Sequence, residues 1–200
     1  MSTPHAELDA PAPLRSAPPR PALFLDRDGV INEDAGYLHR PEDIRFLPGI
    51  FPLVSAANAA GMPVIVVTNQ SGIGRGYFQE KDFHALMDWM GEECMARGCR
   101  LDAVYFCPHH PVHGLGAYKT SCTCRKPAPG MFTTAARELH IALPRSVMVG
   151  DSLRDMQAAV AAGVGCPLWL APPATPLTAP THASVQTVRS LAEVLRFLPR

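Results

Sequence analysis

Ala22-Leu23-Phe24-Leu25-Asp26-Arg27-Asp28-Gly29 is a short apolar run that ends in two carboxylates and a glycine. The same design recurs in Pro63-Val64-Ile65-Val66-Val67-Thr68, Ala103-Val104-Tyr105-Phe106-Cys107 and Ser146-Val147-Met148-Val149-Gly150-Asp151. A fifth run, Cys166-Pro167-Leu168-Trp169-Leu170, lacks the polar end. Continuous apolar runs of this length read as strands buried on both faces, which implies a parallel sheet. Helical patterns lie between them at about 49–60, 79–97, 129–140 and 152–162, with Gly61, Gly98 and Gly163 where helices should stop. The alternation predicts an α/β fold with a doubly wound, mostly parallel, five-stranded sheet. Ligands in such sheets bind beyond the carboxyl ends of the strands. Asp26, Thr68 and Asp151 should therefore meet at one edge.

The rest of the chain fits a single domain over 21–200. Residues 1–20 carry five prolines and few large apolar side chains, and read as a disordered tail. A Pro/Thr-rich segment, 171–182, precedes a final amphipathic helix expected at about 184–198. Formal net charge is zero, so no broad basic field points to nucleic acid or anionic lipid. No stretch approaches the roughly 20 apolar residues of a membrane span, and the N-terminal stretch lacks the apolar centre of a signal peptide. The expectation is a cytoplasmic monomer acting on a small molecule, with neither nucleic acid nor membrane as partner.

Two acids spaced as Asp26-x-Asp28 at a strand end suit a nucleophile and a proton donor, and their hard oxygens suit Mg²⁺. Alone, the motif would be a solvated turn. Thr68-Asn69-Gln70-Ser71-Gly72 adds hydroxyl and amide groups of the kind that hold phosphate oxygens. Arg125-Lys126-Pro127 adds positive charge ahead of a helix; only three lysines occur in the chain. Gly150-Asp151-Ser152-Leu153-Arg154-Asp155 places a further acid at a strand end and another one helical turn later.

Cys107-Pro108-His109 and Cys122-Thr123-Cys124 form two ligand pairs twelve residues apart, inside a stretch (107–128) with little periodicity. Three thiolates and one imidazole complete a tetrahedron, so a zinc ion there would be structural. His110 and His113 remain alternative ligands on spacing alone. Cys94, Cys99 and Cys166 read as ordinary thiols. The clip, 107–126, runs directly into Arg125 and Lys126 and would order both.

In this order the pieces resemble the haloacid-dehalogenase-like phosphatase superfamily, whose four motifs match Asp26-x-Asp28-Gly29, Thr68, Lys126 and Gly150-Asp151-x-x-x-Asp155. The resemblance implies a Rossmann-like core, Asp26 as nucleophile, Asp28 as general acid–base, and Thr68 and Lys126 on the transferring phosphoryl group. It also implies Mg²⁺ held by Asp26, Asp28 and Asp151, with Asp155 supporting its neighbours. No insertion large enough for a cap domain is visible. The zinc loop, together with Asp34-Ala35-Gly36-Tyr37-Leu38-His39, Asn69-Gln70-Ser71-Gly72-Ile73-Gly74-Arg75-Gly76, Cys107-Pro108-His109-His110-Pro111 and Cys124-Arg125-Lys126-Pro127-x-Pro129-Gly130-Met131, is similar to the D-glycero-D-manno-heptose 1,7-bisphosphate 7-phosphatase family, which serves ADP-heptose synthesis for lipopolysaccharide. That resemblance implies zinc at Cys107, His109, Cys122 and Cys124. It implies substrate contacts from Asp34, Ala35, Gly36, Tyr37, Thr68, Asn69, Gln70, Ser71, Arg125, Lys126 and Ser152. Ser152 stands where many relatives carry lysine, and Val30 where threonine is commoner, which puts substrate affinity in question. Histidinol-phosphate phosphatases share the motifs and are the rival reading; a non-catalytic zinc-dependent binding module is the alternative from another class.

Overall fold

The computed structural model describes residues 18–172 and 182–199. The tail expected over 1–20 falls outside it up to residue 17, as does most of the Pro/Thr-rich 171–182 segment. Arg20 already pairs with the domain: its N–H donates to His140 O, and its carbonyl accepts from Ala142 N.

Six strands form one sheet: β1 (Leu23–Leu25), β2 (Val64–Asn69), β3 (Ala103–Cys107), β4 (Val147–Gly150), β5 (Cys166–Leu170) and β6 (Gln186–Val188). They lie in the order β3-β2-β1-β4-β5-β6, and every pairing is parallel. The helices are α1 (Ile50–Ala59), α2 (Ser71–Gly74), α3 (Glu80–Ala96), α4 (Gly130–Leu139), α5 (Leu153–Ala162) and α6 (Leu191–Val194). Alternate residues of each strand serve opposite faces. Leu23, Leu25, Val64 and Val66 pack with Leu53 of α1, Phe83 and Leu86 of α3 and Leu191 of α6. Phe24, Ile65, Val67 and Met148 pack with Phe132 of α4 and Ala159 of α5. Full burial of each large side chain contributes roughly 1.5–3 kcal/mol, so the continuous apolar runs are what a two-sided sheet requires.

Two expectations are corrected. The sheet has six strands rather than five, and the helix expected at 184–198 is β6 followed by α6 and a short 3-10 turn, Leu195–Phe197. Gln186-Thr187-Val188 is too short to show a period of two, yet its two β-branched residues suit an edge strand, and Ser190 opens the helix that follows. The strand order reverses between β1 and β4, so the crevice beyond their carboxyl ends is the switch point of the sheet. The long connections after β1 and β3 border that crevice, and among the described residues no separate cap domain is inserted. No described helix is long and apolar enough to cross a membrane.

Candidate active site

Asp26 follows β1 directly, its N–H donating to Val149 O across to β4 at 3.0 Å. Asp151 follows β4, its main-chain oxygen accepting from the Trp169 indole at 2.8 Å. The turn from Asp26 passes Asp151 so closely that a Cβ at position 29 would collide with the Asp151 carboxylate, and φ there is 79°. Only glycine meets both conditions. The carboxylate oxygens of Asp26, Asp151 and Asp155 lie within 4.8 Å of one another.

One ammonium serves this cluster. Lys126 Nζ lies 2.7 Å from Asp26 Oδ2 and 2.6 Å from Asp155 Oδ1, and donates to Val67 O at 2.8 Å. Its main chain is clamped by Asn69: the Lys126 N–H donates to Asn69 Oδ1 at 3.0 Å, and Asn69 Nδ2 donates to Lys126 O at 3.1 Å. Asp155 in turn accepts from Ser152 N and Oγ in a capping box that starts α5. Burial would depress the Lys126 ammonium, but Asp26 and Asp155 outweigh it and hold it above its ordinary range. Burial would raise Asp155, and Lys126 with Ser152 brings it below the usual carboxylate range. Asp26 is pushed well up by burial and by Asp155. Asp151 rises to about 6 for the same two reasons in the same order. Three acids share one cation, and the uncompensated charge is what a divalent ion would neutralise. The oxygen-only donor set fits Mg²⁺.

The zinc expectation meets a matching cluster. Cys107, His109, Cys122 and Cys124 bring one ligand atom each within 4.8 Å of the others. Sulfur–sulfur separations are 3.1–3.5 Å and the His109 Nδ1 distances 3.4 and 3.6 Å. Zn–S bonds near 2.3 Å would set tetrahedral sulfurs about 3.8 Å apart, a few tenths of an ångström wider. Burial raises the Cys107 thiol, and Cys124 beside it raises it further; a divalent cation would remove that penalty by binding thiolates. His110 stands apart, its Nδ1 accepting from Val112 N and His113 N. Arg125 Nη1 donates to His109 O at 3.1 Å, which ties the clip to the cation beside it.

A cavity of about 460 Å³ opens over the acids. It gathers the expected catalytic, magnesium and substrate residues except Ala35, which is exposed outside the lining; the four zinc residues lie outside it as well. Two assigned contacts are engaged elsewhere: Asn69 clamps Lys126, and the Ser152 hydroxyl lies 2.7 Å from Asp155. Gln70 Nε2 reaches both Thr68 Oγ1 (2.8 Å) and Asp28 Oδ2 (3.1 Å). Tyr37 packs edge-on against Tyr77 at 4.6 Å, with the Arg75 guanidinium 5.8 Å from its ring. Sequence reasoning missed Arg75, His110 and Arg154, which join Arg125 along the cavity. Burial lowers the Arg125 pKa, and Arg154 and Arg75 lower it further; burial and the same kind of neighbours lower His110. A rim of like charges in one cavity is a preformed anion site. Arg75 Nε is buried with no partner. Arg75 and Arg154 stand inside the segments 69–76 and 150–155, yet nothing in those segments gives them a contact of their own, so only their convergence exposes them.

A HAD-hydrolase-like family model matches residues 123–172. The D-glycero-beta-D-manno-heptose-1,7-bisphosphate 7-phosphatase of Vibrio cholerae is 51% identical over 146 residues, 73% of this chain and 78% of that protein. The chain belongs to this phosphatase family. The D-glycero-alpha-D-manno-heptose-1,7-bisphosphate 7-phosphatase of Burkholderia mallei is 48% identical over 177 residues, 88% of this chain and 93% of that protein. A solved relative, the D,D-heptose 1,7-bisphosphate phosphatase of B. bronchiseptica complexed with magnesium and phosphate, superposes with a TM-score of 0.76 at 34% identity, covering 88% of this chain and 96% of that one. Family membership makes the chain a phosphoric monoester hydrolase rather than a non-catalytic zinc module.

Proposed function

We propose that this chain removes the 7-phosphate of D-glycero-D-manno-heptose 1,7-bisphosphate through a phosphoryl group carried on Asp26. The observation behind the reading is the meeting of Asp26, Asp151 and Lys126 at the sheet's switch point, beneath a cavity rimmed by Arg75, Arg125 and Arg154. A substrate with two phosphates needs both features. An Asp26 carboxylate oxygen attacks the 7-phosphorus, the phosphorus–sugar oxygen bond breaks, and Asp28 gives its proton to the leaving oxygen. Asp28, now a carboxylate, takes a proton from water that attacks the same phosphorus, and Asp26 is released with inorganic phosphate. Thr68 and Lys126 hold the equatorial oxygens, where positioning and charge neutralisation supply most of the rate. Mg²⁺ would be held by the carboxylates of Asp26 and Asp151 and the main-chain carbonyl of Asp28, and would supply positive charge against the phosphoryl oxygens. Zinc at Cys107, His109, Cys122 and Cys124 would fix the loop that delivers Arg125 and Lys126.

Histidinol phosphate is the rival substrate, and the rim argues against it. Its ammonium and imidazole would meet guanidinium groups where the bisphosphate presents an anion. A cytoplasmic setting keeps three metal-ligating thiols reduced. Turnover of both esters with Mg²⁺ tests the assignment. We expect kcat/KM to favour the bisphosphate by at least about 10²-fold; equal or better turnover of histidinol phosphate overturns it.

A further inference from the structure

Arg27 touches both carboxylates that the proposed chemistry uses. Its main-chain N–H donates to Asp26 Oδ1 at 2.7 Å. Its guanidinium clasps Asp28: Nε donates to Oδ1 at 3.0 Å, and Nη2 lies 2.8 Å from both Oδ1 and Oδ2. Nη2 also donates to Leu38 O at 3.1 Å, in the loop that carries Asp34 and Tyr37 to the cavity. Arg27 is the bulkiest of the fully buried side chains, 1% exposed, and its guanidinium lies 5.9 Å from the centre of the Phe83 ring.

A buried ion pair is a poor device for stability alone, because apolar side chains of similar size often do as well. This one also leaves Nη1 without a partner. What it does achieve is to fix one carboxylate in one plane. Asn32 Nδ2 adds a bond to Asp28 Oδ1 at 3.0 Å, and Gln70 Nε2 adds one to Oδ2 at 3.1 Å. Asp28 keeps 22% of its side-chain surface open, and it lines the cavity. The carboxyl group is therefore fixed by Arg27, Asn32 and Gln70 while part of it still faces the cavity. A proton delivered to a leaving oxygen needs that constraint, since a displacement of about 1 Å can cost about 10²-fold in rate. Only the guanidinium fork offers two parallel donors to a carboxylate; an ammonium is a point charge.

We propose that Arg27 is the positioning residue for Asp28, aiming its carboxyl group at the leaving oxygen. This rests on the reading of Asp28 as the general acid–base. Three variants test it: Arg27→Lys, Asp28→Asn and the two combined. Each is assayed for leaving-group release in a single turnover, which precedes the water step common to both esters, on heptose 1,7-bisphosphate, whose sugar oxygen needs a proton to leave, and on p-nitrophenyl phosphate, whose aryl oxygen does not. Thermal melts accompany every variant. Arg27→Lys is expected to slow that release from the sugar ester about 10²-fold with KM within about twofold, and from the aryl ester less than about tenfold. Asp28→Asn should show the same split more strongly, and the combined variant should be no slower than Asp28→Asn. Equal slowing of leaving-group release from both esters, an additive loss in the combined variant, an unchanged release rate from the sugar ester, or loss of both activities with a collapsed melting transition would each overturn the role of Arg27. Should Asp28→Asn itself leave sugar-ester turnover intact, the acid–base reading of Asp28 fails first and takes the role of Arg27 with it.

Discussion

The ammonium of Lys126 lies 2.7 Å from Oδ2 of Asp26, and the same nitrogen lies 2.6 Å from Oδ1 of Asp155. Both acids and the lysine are buried. The cation thus holds the proposed nucleophile and is itself held from the opposite side. Lys126→Met should lower kcat/KM by about 10²–10³-fold, as for loss of one charge-stabilising donor. It should also destabilise the fold by about 3–5 kcal/mol, because Asp155 is left buried without its partner. Steady-state kinetics and urea unfolding measure the two effects. A variant with unaltered stability would show that Asp155 does not depend on Lys126.

Asp151 titrates at about 6 without metal, above the ordinary 3.8, because burial and then the charge of Asp155 oppose its ionisation. A bound divalent ion must displace that proton. Apparent Mg²⁺ affinity should therefore fall as pH drops through about 6, by about tenfold per pH unit or more, because the raised Asp26 must also give up its proton. Stability of the metal-free protein runs the other way. The native state keeps the proton to higher pH than the unfolded chain does, so this group's contribution is full below about 4 and is lost as pH climbs from about 4 to 6. Calorimetric Mg²⁺ titrations between pH 5 and 7.5 (rough limits of the window), with melts in Mg²⁺-free buffer, check both signs. Asp155→Asn should move the midpoint of the affinity change to lower pH.

The Cys/His clip joins the metal question to the active edge, since Arg125 donates to His109 O and Lys126 follows it. Metal analysis should return one zinc per chain. Cys124→Ala should abolish that zinc, lower the melting temperature and reduce kcat/KM by at least about tenfold through misplacement of the two cations. A zinc-free variant with unchanged kinetics would disconnect the clip from catalysis.

Arg154 lies two residues beyond Ser152, in the first turn of α5, and faces the cavity with Arg125. It supplies a positive charge on the helix where Ser152 offers none. Arg154→Ala should raise KM for the bisphosphate about tenfold, with kcat retained and the KM for p-nitrophenyl phosphate unmoved. Ser152→Ala should do the reverse: it removes the capping box with Asp155 at a cost of about 1 kcal/mol in stability, and leaves KM for the bisphosphate unchanged.

Much of this was legible in the sequence because the relevant signals are local. Four apolar runs ending in Asp26, Thr68, Cys107 and Asp151 give strands, order and edge together, since a strand buried on both faces tolerates few polar residues. The ligand pairs at 107–109 and 122–124 announce themselves by residue type. Three kinds of feature stayed hidden. β6 is an edge strand of three residues, held by its pairing with β5 rather than by a pattern of its own. Asn69 looks like a phosphate donor in sequence, yet its amide is committed to the main chain of Lys126, 57 residues away. The anion rim depends on Arg75, Arg125 and Arg154 meeting across loops, and no spacing encodes that.

The proposed chemistry stands or falls with Asp26 as the carrier of the phosphoryl group. Acid quenching during turnover of the bisphosphate, followed by peptide mass analysis, tests it directly. One phosphoryl group should appear on the peptide containing Asp26, absent without Mg²⁺, and a folded Asp26→Asn variant should show no turnover. Phosphoryl transfer to any other residue, or undiminished phosphate release by Asp26→Asn, would contradict it.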